Sequence, residues 1–469
     1  MKKVIFIVLV LLETLVSAQN KSAIDSVLTA FLNKSILYDA HVGIQLYDIQ
    51  TRNNLLEYNS QKLFVPASIQ KLFTTVTSLE LLSNDFRFTT KVLYSGELDK
   101  NSGIINGNLY VVCSGDPSLE SVYFSDYSFL KSLNAILIEK GVKKISGRLF
   151  LLDNKGSYSV NSNWLWGDIG NYYGAGVSSI SFRDNTIEVY FNSSDTVGGP
   201  TTISKIIPEN NQVTIVNKVV SGESNRDLAY GYGVPYDSVR TIDGEIPRSK
   251  KDFKVKISMH DPSSYLKNEI EQLLNFEHQN INSIDRLDTL LIYKSPSLLN
   301  LLENVNTKSN NNYTEHILLK SMFLMDSSIS IESAPFLMND YWTNQLQLKH
   351  VFYTVDASGL SRKNLISPEI MNKLLIYIFN NNTIKSTFLS TLPKAGVSGT
   401  LKYLGRGSSI ENHFIGKSGS MDGIRCYAGY FIKNESYYPF TIMLNNFSST
   451  SKKVKEAIVD LMEGIYQNL

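Results

Sequence analysis

The stretch PASIQKLFTTVTSLELL, Pro66 to Leu82, decides how the rest of the chain is read. Ile69, Leu72, Phe73, Val76 and Leu79 recur at helical spacing and predict one buried stripe. Pro66 marks the entry to that helix. Ser68 and Lys71 stand three residues apart at its start, neighbours on one face, so the amine can reach the hydroxyl. An amine whose pKa is lowered by burial and nearby cations acts as a general base and makes the hydroxyl a nucleophile. The Ser68 N–H is predicted to lie at the positive end of the helix, where a developing oxyanion is favoured. The spacing alone is common: Ser128 with Lys131, Ser264 with Lys267, and Ser449 with Lys452 repeat it. Of these, only Ser68 opens a strongly patterned helix behind a proline.

On the N-terminal side, an Ala/Leu/Phe-bearing helix pattern from Lys21 and the alternating strand HVGIQLYDIQT from His41 precede this helix. On the C-terminal side the texture changes. From about Phe86 to Leu291, segments such as FTTKVLYSGEL, GNLYVVCSGDPSL and GRLFLLDNKGSY place short strands between Gly, Asn, Asp and Ser turns, a β-rich pattern. Helical spacing resumes in DPSSYLKNEIEQLLN and again from Ser297. Adjacent strands are expected in FIGKSGSMDGIRCYAGYFIKNESYYPFTIMLNNF. A last helix carries Val454, Ile458, Leu461, Met462 and Ile465, a stripe that suits packing on a sheet or, alternatively, a membrane surface. Mixed segments at both ends around a β-rich block predict one domain interrupted by another.

The chain has 469 residues, 43% of them hydrophobic, with 12 Pro and 28 Gly, enough for several folded cores. Lys+Arg of 45 against Asp+Glu of 44 leaves a net charge of +1, so no basic field is available to gather nucleic acid. Lys2 and Lys3, the apolar run Val4 to Leu12 and the small residues Val16-Ser17-Ala18 read as a secretory leader over residues 1–18, removed on export to leave Gln19 first. Glu13 interrupts the run well short of the roughly 20 apolar residues of a membrane span. Cys113 and Cys426 are too few for a disulfide scaffold.

No two of His41, His260, His278, His316, His350 and His413 have the spacing of a metal pair on a helix, and neither a phosphate loop nor a dinucleotide fingerprint occurs. Neither metal nor cofactor is expected. Two further elements do stand out. In KSNNNYTEHILL, Ser309 and Asn311 sit at a helix start. Lys417-Ser418-Gly419, followed by Ser420, falls inside a predicted strand, where a glycine lets a substrate backbone approach and the Lys and hydroxyl offer donors to an anion.

In this order the three elements resemble the active-site set of penicillin-binding proteins and serine β-lactamases: SxxK, then SxN, then K-T/S-G. The span between Lys71 and Ser309 exceeds what a compact β-lactamase holds, which implies an insertion. Flanking strings resemble the class C low-molecular-mass D-alanyl-D-alanine carboxypeptidases, the S13 peptidase family: CSGDPSL, WLWGDIGNYYGAGVSSISF, DASGLSRKNLISP and LPKAGVSGTLKY. Ser418 replaces the usual Thr, Asn310 the usual Asp, and Cys113 a small residue.

The resemblance implies an α/β (α+β) transpeptidase-like fold, with the penicillin-binding domain in 19–85 and 284–469. A β-rich insertion would occupy 86–185 and 255–283 and itself hold a small domain at 186–254. It implies that Ser68 is the nucleophile, Lys71 its base, Ser309 a proton relay and Asn311 a partner of Lys71 and the substrate amide. Lys417 and Ser418 would bind the terminal carboxylate beside Gly419, with the N–H groups of Ser68 and Ser420 as oxyanion hole. Asp168, Ile169, Tyr173 and Arg362 would line a pocket for the third stem residue, suited to the zwitterionic end of diaminopimelate. The partners implied are peptidoglycan stem peptides and, as covalent inhibitors, β-lactams. The implied function is a periplasmic serine carboxypeptidase with endopeptidase action. A β-lactamase or esterase on the same scaffold and a silent cell-wall binding protein are the alternatives.

Overall fold

A computed structural model of the chain describes residues 21–153, 159–209, 212–281 and 286–469. The leader expected at 1–18 lies outside these. Among the described residues no helix is long and apolar enough to cross a membrane. By compactness the chain divides into two units, one of residues 1–81, 302–309 and 333–469, the other of 82–301 and 310–332.

The first unit is built on a five-stranded antiparallel sheet. Its order is Phe414–Met421, Ile424–Lys433, Ser436–Asn445, His41–Asp48, Asn53–Tyr58. The N-terminal strand pairs with the penultimate piece of the chain, His41 opposite Asn445 and Leu46 opposite Phe440. One face of the sheet is covered by the helix at 21–32 and by Ser451–Gln467. The stripe Val454, Ile458, Leu461, Met462 and Ile465 is buried there with Ile44, Leu46, Ile442 and Leu444. A sheet, and not a membrane surface, takes the apolar face. Each such side chain contributes roughly 1.5–3 kcal/mol by leaving water.

The helix of Pro66–Leu82 begins more tightly than its spacing predicts. Ala67–Gln70 form a 3-10 turn, and the α-helix runs from Lys71 to Leu81. Ala67 has a φ of 47°. That left-handed conformation costs a residue with a side chain about 1–2 kcal/mol and turns the chain sharply into the helix. The predicted stripe is buried, and so are the polar positions between its members. Thr75 Oγ1 bonds Asn306, Thr74 donates to the Ala357 carbonyl, and Thr77 accepts from the Trp342 indole at 2.8 Å. A wholly buried helix must satisfy its polar groups in this way, because water cannot.

The second unit is the β-rich one. A four-stranded sheet orders Leu287–Lys294, Thr89–Ser95, Leu109–Cys113 and Leu149–Asp153. Leu287–Lys294, expected with the returning catalytic segment, pairs here with Thr89–Ser95. A three-stranded sheet places Thr186–Asn192 between Thr202–Ile207 and Phe253–Ser258. Another places Val239–Pro247 between Thr214–Gly222 and Leu228–Tyr232. The helices Phe129–Glu139 and Pro262–Leu273 share one apolar core with these strands through Phe129, Leu133, Tyr265 and Ile270. Asn311–Phe323 also belongs to this unit. Its Tyr313 hydroxyl lies 2.7 Å from Ser121 Oγ and donates to Asp184 at 2.9 Å.

Candidate active site

Lys71 is fully buried. Its Nζ lies 2.8 Å from Ser68 Oγ and donates to the Ser358 carbonyl at 2.6 Å. Ser68 itself is partly open to solvent. A neutral amine tied to a carbonyl through one N–H can turn its lone pair toward a neighbouring O–H, the geometry a general base requires. The lookalike pairs differ. Ser128 caps its own helix by accepting from the Lys131 backbone, and Ser264 bonds Asp261.

The carbonyl that anchors Lys71 belongs to a tightly tied loop. Both oxygens of the buried Asp356 accept from it: Oδ1 from Gly359 N at 2.8 Å, Oδ2 from Ser361 N at 2.6 Å. Asn364 Nδ2 donates to Oδ1 as well, and Gln70 donates to the Asp356 carbonyl. Gly359 has a φ of 78°, and a Cβ there would stand 2.0 Å from the Ala67 carbonyl oxygen. The loop therefore sits flush against the turn that bears Ser68.

Lys417 reaches the site from the strand Phe414–Met421. Its Nζ lies 2.9 Å from Ser309 Oγ and donates to the Ser418 carbonyl at 2.7 Å. Burial, and after it the charge of Lys71, push the Lys417 ammonium well below its ordinary range. Ser309 follows the helix Leu298–Lys308 with a φ of 58°, again left-handed. Ser418 Oγ donates to Thr400 Oγ1 at 2.9 Å. A Cβ on Gly419 would lie 2.7 Å from the Pro66 carbonyl and 3.0 Å from the Ser68 amide nitrogen. Only a bare Cα lets this strand lie along the Ser68 turn. Ser420 is exposed at the strand's far end.

The structure thus brings Ser68 to Lys71, and Ser309 to Lys417, within the first unit. Arg362, also there, is exposed and donates to the Asp422 carbonyl at 2.9 Å. The second unit holds Asn311, Asp168, Ile169 and Tyr173. Asn311 Nδ2 donates to the Tyr173 carbonyl at 2.9 Å. The Tyr173 hydroxyl is raised well above its usual range, by burial first and then by Asp168, to which it hydrogen-bonds. The Ile169 carbonyl accepts from Ser258. Asn310, where Asp is usual, is the N-cap of Asn311–Phe323, accepting from Tyr313 N at 3.2 Å. Asn and Asp serve equally as caps.

Sequence reasoning missed the Ser358 carbonyl, the Asp356 carboxylate and Thr400 as members of the site. Each lies in a string quoted for resemblance, but nothing in residue type distinguishes a carbonyl that will hold a base. Among the described residues no three His, Cys, Asp or Glu side chains gather as a metal site. Cys113 and Cys426 are buried, and neither is in a disulfide.

A family model described as D-Ala-D-Ala carboxypeptidase 3 (S13) matches residues 24–469. The chain belongs to the D-Ala-D-Ala carboxypeptidase 3 (S13) family. It is accordingly a serine-type D-Ala-D-Ala carboxypeptidase, and the β-lactamase and silent-binder alternatives are not favoured. The D-alanyl-D-alanine carboxypeptidase DacB of Haemophilus influenzae is 26% identical over 463 residues, 93% of each chain. The penicillin-sensitive carboxypeptidase A of Dictyostelium discoideum is 26% identical over 88% of this chain and 83% of its own length. The S13 member described here shares its α+β fold with the crystal structure of penicillin binding protein 4 (dacB) from Haemophilus influenzae. That match has a TM-score of 0.76 at 23% identity, covering 92% and 96% of the two chains. The same Haemophilus protein complexed with a novel β-lactam matches with a TM-score of 0.73 at 22% identity, covering 95% and 98% of the two chains.

Proposed function

We propose that this carboxypeptidase works on peptidoglycan stem peptides in the periplasm, after loss of residues 1–18, through an acyl-enzyme on Ser68. The observation that carries the reading is the 2.8 Å approach of Lys71 Nζ to Ser68 Oγ, with the amine held from behind by Ser358. Ser68 Oγ attacks the carbonyl of the penultimate D-Ala while its proton passes to Lys71. Backbone N–H groups of Ser68 and Ser420 take the oxyanion. The C–N bond breaks as Ser309 relays the proton held by Lys71 to the leaving amine, which departs as D-Ala. Water then cleaves the ester, with Lys71 again the base.

In this scheme Asn311 holds Lys71 and the substrate amide, and Lys417, Ser418 and Gly419 receive the terminal carboxylate. An arriving carboxylate favours the charged form of Lys417, which burial disfavours in its absence. Asp168, Ile169, Tyr173 and Arg362 form the side-chain pocket, with diaminopimelate as the third residue. The same centre cleaves D-Ala to diamino-acid crosslinks. β-Lactams acylate it, a property supported by the β-lactam complex of the Haemophilus relative. We keep the inserted domains as 86–185 with 255–283, and 186–254, within a catalytic domain of 19–85 and 284–469.

Mass spectrometry after benzylpenicillin treatment tests the reading. One penicilloyl adduct on Ser68 is expected, and none in Ser68→Ala. An adduct that persists in the variant excludes Ser68 as nucleophile.

A further inference from the structure

The short helix Trp166–Ile169 of the second unit carries an aromatic surface that the reaction above does not use. Trp166 is 60% exposed, and one face of its indole stacks on the Tyr232 ring, with centroids 5.1 Å apart and planes 29° from parallel. Tyr232 belongs to the strand Leu228–Tyr232, whose burial alternates along its length. Tyr230 therefore projects from the same face as Tyr232, and it is 43% exposed. Leu165, just before the helix, is exposed as well. A lone apolar residue at a surface is ordinary; rings set side by side and open to water mark an interaction site.

Backbone and side-chain bonds hold these rings in place. Leu228–Tyr232 is the edge strand of its sheet, and the buried Asn171 covers the free edge with its side-chain amide. Gly231 N donates to Asn171 Oδ1 at 2.9 Å, and Asn171 Nδ2 donates to the Gly231 carbonyl at 3.2 Å. The same Nδ2 donates to the Gly167 carbonyl at 2.8 Å, which ties the helix of Trp166 to the strand of Tyr230 and Tyr232. A Cβ on Gly170 would stand 2.2 Å from the Gly231 carbonyl oxygen, so only bare Cα atoms let the two backbones meet. Rings fixed before a ligand arrives lose little freedom when it packs on them.

The chemistry around the rings narrows what packs there. A pyranose ring offers C–H groups on its faces, which suit the flat side of an indole or phenol, and hydroxyls at its edge, which need acceptors. Asp227 supplies one: it is exposed at the start of the strand, accepts from Ala229 N at 3.1 Å, and lies near enough to Tyr172 to add to burial in raising that hydroxyl. The Lys256 ammonium of this region lies over the rings of Tyr123 and Tyr172, at 5.9 and 5.7 Å. A single ammonium beside the carboxylates of Asp168 and Asp227 gives a polyanion no basic field to enter. Trp166 also stands two residues before Asp168, assigned above to the third stem residue. In peptidoglycan the first residue of that stem is joined to an N-acetylated sugar.

Resting on the stem-peptide reading, we propose that Trp166 and Tyr230 stack on the N-acetylated sugar that carries the stem, so that the substrate is a glycan-linked stem and not a free peptide. Titration calorimetry with tetra-N-acetylchitotetraose, a neutral oligosaccharide without peptide, tests the surface by itself. Saturable binding to the full chain is expected, weaker by about threefold to tenfold in Trp166→Ala and in Tyr230→Ala, the contribution of one stacked ring. Of the three tryptophans, Trp164 and Trp342 are buried, so acrylamide quenching of the parent's emission should fall as the sugar covers Trp166. In the parent, kcat/KM for D-Ala release from a disaccharide pentapeptide should exceed that from the bare pentapeptide by a similar factor, and Trp166→Ala should bring the two to equality. Melting curves check that both variants fold; Trp166→Phe, which keeps a ring, should restore part of the binding. No saturable binding of the oligosaccharide, or binding unchanged in both alanine variants, overturns the proposal. So does a Trp166-dependent dimer in sedimentation, or Trp166-dependent capture on anionic lipid vesicles, either of which gives the surface another occupant. Failure of the acyl-enzyme reading would show separately, as a missing penicilloyl adduct on Ser68.

Discussion

The charge of Lys71 bears on Lys417 within one buried patch: after burial, Lys71 is what pushes the Lys417 ammonium well below its ordinary range. The folded protein therefore releases the Lys417 proton at a lower pH than the unfolded chain, whose lysine titrates near 10.5. Between those two pH values the unfolded state binds more protons, so stability climbs as pH rises through the window and declines as it falls. Lys417→Met keeps the volume and removes the titration. Its stability relative to the parent should fall as pH rises from 7 to 10 in urea denaturation, while its penicillin acylation is lost. A flat or opposite trend would contradict the assignment.

Lys71→Arg tests the base. A guanidinium stays charged and is too broad for a place fixed by Ser68 Oγ and the Ser358 carbonyl. Acylation by benzylpenicillin should drop by about 10²-fold or more, the usual contribution of a positioned base. In the parent the rate should rise with pH as the amine loses its proton. Stopped-flow acylation kinetics across pH distinguish the two proteins.

Gly419→Ala places a methyl 2.7 Å from the Pro66 carbonyl and 3.0 Å from the Ser68 amide. These contacts are with backbone, which cannot swing aside, so the strand or the serine turn must shift. Overpacking of this kind costs about 1–3 kcal/mol. The melting temperature should fall modestly, and acylation should fall more, because the displaced amide is the one assigned to the oxyanion.

How far the site was legible depends on what its members are made of. Ser68, Lys71, Ser309 and Lys417, the residues of the proposed reaction, carry side chains with distinctive chemistry, and their order along the chain made the resemblance readable. The Ser358 carbonyl acts through a group every residue carries, so only the fold of the Asp356 loop reveals it. The helical stripe from Ile69 to Leu79 was readable from its period, but burial of the intervening Thr and Ser positions was not, since a period reports one face only. The pairing of Leu287–Lys294 with Thr89–Ser95 was not readable, because the two strands lie far apart in sequence and no local pattern reports a partner.

The proposed side-chain pocket yields a prediction of selectivity. Arg362 is exposed and bonds only the Asp422 carbonyl among the contacts described, so Arg362→Ala should leave stability within about 0.5 kcal/mol. Together with Asp168→Ala it should lower kcat/KM for diaminopimelate peptides roughly tenfold to a hundredfold, the loss of a charge-assisted bond, and spare penicillin acylation. Matched diaminopimelate and Lys peptides provide the measurement; equal rates in the parent would refute the pocket.

Tyr313→Phe should destabilise the second unit by about 1–3 kcal/mol, since Asp184 loses a donor in a buried setting. Because Tyr313 lies two residues from Asn311, kcat should fall as well. Thermal denaturation and D-Ala release report the two effects separately.

The pairing of His41–Asp48 with Ser436–Asn445 also sets a timetable for synthesis. As the chain grows from its N-terminus, every strand and helix of the second unit has been made by residue 332, whereas the first unit's early hairpin still lacks its central partner. Domains tend to fold as units in the order in which they emerge. The inserted unit can therefore mature while the hairpin His41–Tyr58 waits with an unsatisfied edge, open to mispairing until the last strands arrive. The turn that bears Ser68, packed against Gly419 and Gly359, is completed only at that final step. On the role proposed for Ser68, a newly made chain thus acquires its reactive serine last, once nearly everything else has closed.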